Sequence, residues 1–354
     1  MRKIWLIGLL IFSALTAACN SSSPTAEISR PIPTEAPRES PTETPTIIPE
    51  TPTPKLTTEI EPTVEAYIDS GLGHYQHDEF DQAIEDFANA IELDPDNAQA
   101  YFNRGLAHAQ SDAFEQAIQD YNKAIALDPD NADFYRKRGI AHGFSGDMEE
   151  VIQDFTKAIE LDPDNVSDYN NRGVAYDRLG NPKLAIRDYS KAIALDPEFA
   201  GSYNNRGGIY ANFGYLEQAI RDFDKAIELD PNLTEVYYNR GLAYVDSGEL
   251  EKAIRDFSKV IEQHPNAPRT YNNRGAAYYD SGNLQQAFQD WDKAIELDSN
   301  FEGTYLNRGL AHADTGNLEQ AIEDFERYLE LAPNTANRED VISLIEELKS
   351  ELAE

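Results

Sequence analysis

Between Tyr169 and Phe199 the apolar residues fall at helical spacing twice over. Tyr169, Gly173 and Tyr176 stand at i, i+4 and i+7, and Ala185, Tyr189 and Ala192 repeat that pattern beyond a break at Gly180-Asn181. Asp196-Pro197 stops the second run, because proline carries no backbone donor and turns the preceding residue away from helix. The stretch therefore predicts two short helices joined by a turn. Near-copies recur in both directions at a step of 34 residues. Gly71, Gly105, Gly139, Gly173, Gly207, Gly241, Gly275 and Gly309 lie on one ruler, and Tyr67, Tyr101, Tyr135, Tyr169, Tyr203, Tyr237, Tyr271 and Tyr305 on another. Such a period marks an array in which each unit buries its apolar face on its neighbours. The spacing predicts an all-α solenoid of eight helix-turn-helix repeats at 64–97, 98–131, 132–165, 166–199, 200–233, 234–267, 268–301 and 302–335. A further helical pattern over 336–354, with Val341, Ile345, Leu348 and Leu352 on one side, predicts a capping helix.

The second helices carry an alanine at Ala83, Ala117, Ala185, Ala219, Ala253, Ala287 and Ala321, with Val151 the exception. Four residues on comes an aromatic: Phe87, Tyr121, Phe155, Tyr189, Phe223, Phe257, Trp291 or Phe325. Proline closes seven repeats, and Ser299 stands in its place in the other. This pattern resembles the tetratricopeptide repeat, and the resemblance covers residues 64 to 335. It implies a right-handed α-solenoid that binds other proteins. The glycine inside each first helix weakens helix propensity by about 1 kcal/mol against alanine, and is expected to let the partner helix approach closely.

One departure from the family is systematic. Arg104, Arg138, Arg172, Arg206, Arg240, Arg274 and Arg308 precede the glycines, with Ser70 in the first repeat. A charge beside a packing stripe requires a partner. Asp86, Asp120, Asp154, Asp188, Asp222, Asp256, Asp290 and Asp324 on the second helices supply candidates. The expectation is a structural ladder of Arg–Asp pairs fixing the register between consecutive repeats.

Net charge is −34, from 64 acidic and 30 basic residues, so the basic footprint of a nucleic-acid binder is missing. That balance reads as a soluble, self-repelling surface, with basic partners the class it would select. The single cysteine, Cys19, excludes disulfides within the chain. Arg2 and Lys3 precede an apolar run from Ile4 to Ala18, the form of an export signal, and shorter than the ~20 residues that span a bilayer. Its end, LTAAC, resembles the lipobox of bacterial lipoprotein signals, although Thr16 stands where that family prefers leucine. The resemblance implies cleavage after residue 18, a lipid on Cys19, and a protein held at the cell membrane or outer membrane facing the periplasm or exterior. Residues 19–63, rich in proline and threonine, predict a disordered tether.

No cofactor-binding or metal-binding motif and no nucleophile with an evident base is present, and the chain reads as a non-enzyme. His74, His108, His142 and His312 share a slot with Tyr176, Tyr210, Tyr244 and Tyr278, which reads as a core position. The DPDN turns at 94–97, 128–131 and 162–165 read as helix caps. In the family resembled, the fifth position of each repeat points into a concave groove. Here it holds Ile68, Phe102, Arg136, Asn170, Asn204, Tyr238, Asn272 and Leu306. Asparagine both donates and accepts, so these residues are expected to grip a peptide backbone, with Asp177, Arg178, Asn212, Asp246, Tyr279 and Asp280 nearby. The functional expectation is a membrane-anchored scaffold that docks a protein or peptide in the cell envelope. The alternatives are a spacer or self-associating coat, and an accessory subunit of an envelope enzyme.

Overall fold

The structure, a computed structural model, describes residues 62–354; the expected signal, Cys19 and nearly all of the expected tether lie outside the described residues. Among the described residues there are seventeen α-helices and no strand. They are α1 Val64–Gln76, α2 Phe80–Leu93, α3 Ala98–Gln110, α4 Phe114–Leu127, α5 Ala132–Ser145, α6 Met148–Leu161, α7 Val166–Arg178, α8 Pro182–Leu195, α9 Ala200–Asn212, α10 Leu216–Leu229, α11 Thr234–Asp246, α12 Leu250–Gln263, α13 Pro268–Asp280, α14 Leu284–Leu297, α15 Glu302–Asp314, α16 Leu318–Leu331 and α17 Arg338–Leu352. The chain divides after Leu179 into two compact bodies, α1–α7 and α8–α17. No described helix is long and apolar enough to cross a membrane.

Within each body the helix pairs close on the glycine ruler. A Cβ on Gly71 would lie 2.7 Å from the Phe87 ring, on Gly105 2.6 Å from Tyr121, and on Gly275 2.8 Å from Trp291. All eight aromatics of the second helices are at most 1% exposed. Burying such a ring contributes about 1.5–3 kcal/mol, which offsets the weak helix propensity of the glycine. Between the helices of a pair the chain turns through a left-handed residue. This is a glycine in six turns, Gly146 to Gly316, and an aspartate in the first two, Asp78 (φ 60°) and Asp112 (φ 58°).

The tyrosine ruler ties repeat to repeat. The Tyr135 hydroxyl donates to the Pro129 carbonyl (3.1 Å), Tyr169 to Pro163 (3.2 Å) and Tyr305 to Ser299 (3.2 Å). The acceptor is a backbone oxygen, so the contact survives where serine replaces proline. In the DPDN turns the asparagines cap the next helix, Asn97 accepting from the Ala100 amide and Asn165 from Asp168.

Six of the arginines pair with aspartates inside their own repeat, not with those of the next. Arg240 donates Nε and Nη2 to Asp256 at 2.7 and 2.8 Å, and Arg104–Asp120, Arg206–Asp222, Arg274–Asp290 and Arg308–Asp324 repeat that fork. Arg138 engages Asp154 likewise. The link to the preceding repeat is made by Nη1, which reaches back sixteen residues: Arg138 to Asn122, Arg172 to Thr156, Arg206 to Ser190, Arg240 to Asp224, Arg274 to Ser258 and Arg308 to Asp292. Each of these guanidiniums also lies over the tyrosine three residues before it, at 5.6–5.9 Å. Ser70 stands at this position in the one repeat that has no predecessor in the array.

The capping helix differs in register from expectation. Val341, Leu344, Ile345 and Leu348 pack on Leu306, Phe325 and Tyr328, whereas Leu352 is 49% exposed. Leu352 closes the last turn of α17, beyond the apolar edge that the helix covers.

Candidate functional site

The fifth-position residues do not form an open surface. Leu306 is 0% exposed, Asn272 1%, Asn170 4%, Asn204 8% and Phe102 9%. Phe102 packs between Phe134 and Tyr121, with ring centroids 4.8 and 5.8 Å away. Tyr238 lies 5.9 Å from Phe257. The reason is helical phase. The fifth position is one turn before the glycine ruler and shares the side that closes on the second helix.

One residue further, rotated by about 100°, the sixth position is half-buried in the second body and buried at Asn103 (5% exposed) and Asn171 (6%). Here stand Asn103, Lys137, Asn171, Asn205, Asn239, Asn273 and Asn307. Fifth-position residues of the preceding repeat hold three of them in place. Asn239 donates Nδ2 to Asn204 Oδ1 (3.1 Å), Asn273 to the Tyr238 hydroxyl (3.0 Å) and Asn307 to Asn272 Oδ1 (3.0 Å). Each bond spans 35 residues, from one first helix to the next within the second body. Asn239 and Asn307 keep a carbonyl oxygen and a second N–H without a hydrogen-bond partner among the described residues. The sixth-position row is legible in the YNNRG, YYNRG and YLNRG strings.

Arg136 is consumed by its own repeat and the next. It donates to Asp168 (2.8 Å), Asp133 (2.7 Å) and Asp162 (2.5 Å). Burial would lower its pKa, but these three carboxylates outweigh that and raise it. Asp168, 1% exposed, is nonetheless pushed up to about 6, because its burial exceeds what Arg136 returns and Asp162 and Asp133 repel it. One guanidinium serves three carboxylates, so Arg136 is a structural tie and not a ready ligand cation.

The last turn of each first helix lies two turns beyond the sixth position, on the same face. Arg178 is found there; Tyr279 stands one residue before that position in its own repeat, and its hydroxyl donates to Asp314. The equivalent contact in the first body runs between Tyr75 and Gln110 (3.3 Å). Asp246, Asp280 and Asp314 are the exposed final residues of α11, α13 and α15. Loss of surrounding water pushes Asp280 up to about 6, with no cation answering it. At the equivalent position the first body has Gln76, Gln110, Phe144 and Arg178.

The histidine slot belongs to the interior of the helix pairs. His74 bonds Asp86 (2.8 Å) in the repeat that has no arginine, and His312 stacks on Phe288 at 4.5 Å. Burial lowers the pKa of His108 and His312 despite the aspartates beside them. Among the described residues no group of three His, Cys, Asp or Glu side chains is placed to hold a metal ion.

Family models described as tetratricopeptide repeat match residues 68–132, 132–165, 167–199 and 304–335, and one described as TPR repeat matches 209–248, 241–282 and 275–316. Among solved structures the chain is similar to a tetratricopeptide repeat protein from Parabacteroides merdae, at 20% identity and TM-score 0.55, covering 70% of this chain and 98% of that one. It is similar to pilF of Pseudomonas aeruginosa at 22% identity and TM-score 0.53, covering 60% of this chain and 96% of that one. A third likeness is to the Cut9–Hcn1 hetero-tetramer of the APC/C, at 16% identity and TM-score 0.56, over 81% of this chain and 57% of that one. At such identities these likenesses speak for the fold alone. The comparison with curated proteins found no match.

Proposed function

Because this chain belongs to the tetratricopeptide-repeat family through residues 68–335, we propose that it is a scaffold holding an extended segment of another protein on the first helices of its second body. The observation that carries this reading is the row Asn205, Asn239, Asn273 and Asn307, one amide per repeat at a fixed step. A carboxamide that donates and accepts can pair with a peptide group whatever the side chains nearby. Packed helices lie ~8–10 Å apart, and three residues of extended chain cover about the same length. A segment crossing the helices would thus offer one backbone group to each asparagine. The buried Asn204 and Asn272 and the half-buried Tyr238 set the amides in place beforehand, which lowers the ordering cost on binding. The fifth-position residues keep a role in this reading, as supports.

The cellular setting is proposed from residues 1–63: a lipid on Cys19 holds the array at the cell envelope, and the proline- and threonine-rich stretch spaces it from the membrane. In this setting the scaffold docks or assembles an envelope protein and has no catalytic step of its own.

A crosslinked capture from the native envelope tests the reading. The full chain should retain a partner that Asn239→Ala/Asn273→Ala/Asn307→Ala loses, while both keep the same helical circular dichroism. Equal capture by both would overturn the asparagine row as the site. Cys19→Ala should move the protein from the membrane fraction to the soluble one, and unchanged fractionation would remove the anchor.

A further inference from the structure

The carboxylates that end α11, α13 and α15 lie on the same face as the asparagine row, and their chemistry specifies what that row receives. Asp246, Asp280 and Asp314 are seven residues beyond Asn239, Asn273 and Asn307. Seven residues are about two helical turns, so the two rows run side by side roughly 10 Å apart. The Tyr279–Asp314 bond crosses from one first helix to the next, as the asparagine bonds do, joining successive repeats at this second level.

This row is not a sample of a uniformly acidic surface. The same position is Gln76, Gln110, Phe144 and Arg178 in the first body and Asn212 in the fifth repeat. Acids appear there in the last three repeats only. They also sit where carboxylates are least welcome, because the C-terminus of a helix carries the negative end of its macrodipole. Among the described residues no lysine or arginine comes within ion-pair reach of Asp280 or Asp314. A bound cation would relieve this arrangement.

The spacing specifies the ligand backbone. Along a β-strand, residues three apart point to opposite faces. A polyproline-II segment has three residues per turn and rises ~3.1 Å per residue, so its every third side chain returns to the same face about 9 Å on. That matches the ~8–10 Å step between packed helices.

We infer that the partner segment is basic and polyproline-II-like, with its backbone on Asn239, Asn273 and Asn307 and a lysine or arginine at every third residue facing Asp246, Asp280 and Asp314. This inference rests on the scaffold reading above and adds the chemistry of the occupant.

The test is fluorescence anisotropy with the full chain and two labelled peptides, one of repeated Pro-Lys-Thr triplets and one with glutamine for lysine. The lysine peptide should bind about tenfold tighter at low salt, the gap shrinking as salt is added. Asp246→Asn/Asp280→Asn/Asp314→Asn should bring the lysine peptide down to the glutamine peptide and leave the latter unchanged. Glu228→Gln/Glu262→Gln/Glu296→Gln removes equal charge from exposed sites on the second helices and should keep the preference. Equal binding of both peptides to the unaltered chain overturns the inference and leaves the scaffold reading standing. So does a preference that survives the aspartate triple, or one that the glutamate triple erases. If neither peptide binds the unaltered chain, both readings fall.

Discussion

Gly207 and Gly208 are adjacent in α9 and face different surroundings. A Cβ on Gly207 would lie 2.8 Å from the Phe223 ring and 3.3 Å from the Ala219 carbonyl, while one on Gly208 meets nothing within 4 Å. Phe223 is 0% exposed and has no room to yield. Gly207→Ala should therefore destabilise the protein by about 1–3 kcal/mol through overpacking. Gly208→Ala should stabilise it by up to about 1 kcal/mol through helix propensity. Urea melts of the two variants check both signs. The histidine slot gives a pH dependence. His108 faces Asp120 and Arg104, and His312 faces Asp324, Asp292, Arg308 and Phe288. Burial holds both folded pKa values below the ordinary 6.5. Their contribution to stability is thus fully present above the unfolded value and is lost as pH falls through the lowered folded one. His108→Tyr/His312→Tyr, the residue that four other repeats use, should lose less melting temperature between pH about 7 and about 5 than the unaltered chain.

The arginine fork joins three helices through one side chain. Arg240 holds Asp256 in its own repeat and Asp224 in the one before, and stacks on Tyr237 and Tyr244 at 5.7 and 5.6 Å. Asp256 is 6% exposed, so a leucine at Arg240 leaves a buried carboxylate without its cation. Arg240→Leu should cost about 3 kcal/mol, and Arg240→Leu/Asp256→Leu should recover most of it, because a buried ion pair seldom outperforms packed apolar side chains. A double-mutant cycle by chemical denaturation measures the coupling. If Arg240→Leu alone left stability unchanged, the fork would be ornamental.

Along the array, each repeat depends on its neighbours, so the ends decide how far order extends. The first repeat begins without the arginine that reaches backwards, and α17 covers the last apolar edge with Val341, Leu344, Ile345 and Leu348. Truncation before Arg338 uncovers Leu306, Phe325 and Tyr328. Hydrogen exchange should then quicken in α15 and α16 and stay slow in α9 to α12. Uniform loss of protection across the second body would instead mean that it melts as one unit. The net charge of −34 also has a local meaning, since the acids ending α11, α13 and α15 share the face of the asparagine row.

The repeat period, the helix pairs, the turn between them, the aromatic that fills each pair and the glycine that admits it were all legible in the chain. Each is a local or one-repeat property, written in spacing and in residues such as Gly275 and Trp291 whose sizes complement one another. Three features were not. Whether Asn204 or Asn205 meets the outside is a rotation of about 100°, which periodicity cannot resolve when both are asparagine. Whether Arg240 pairs with Asp256 or with an aspartate of the following repeat depends on which second helix lies nearer, and both carry the same residue at the same register. Whether Leu344 or Leu352 closes the core depends on where α17 leaves the surface of α16. Sequence specified the unit because a unit's contacts are close along the chain. The face, the partner and the end of the cap needed the packed neighbours, because those choices lie between side chains that are chemically alike and differ only in where the fold puts them.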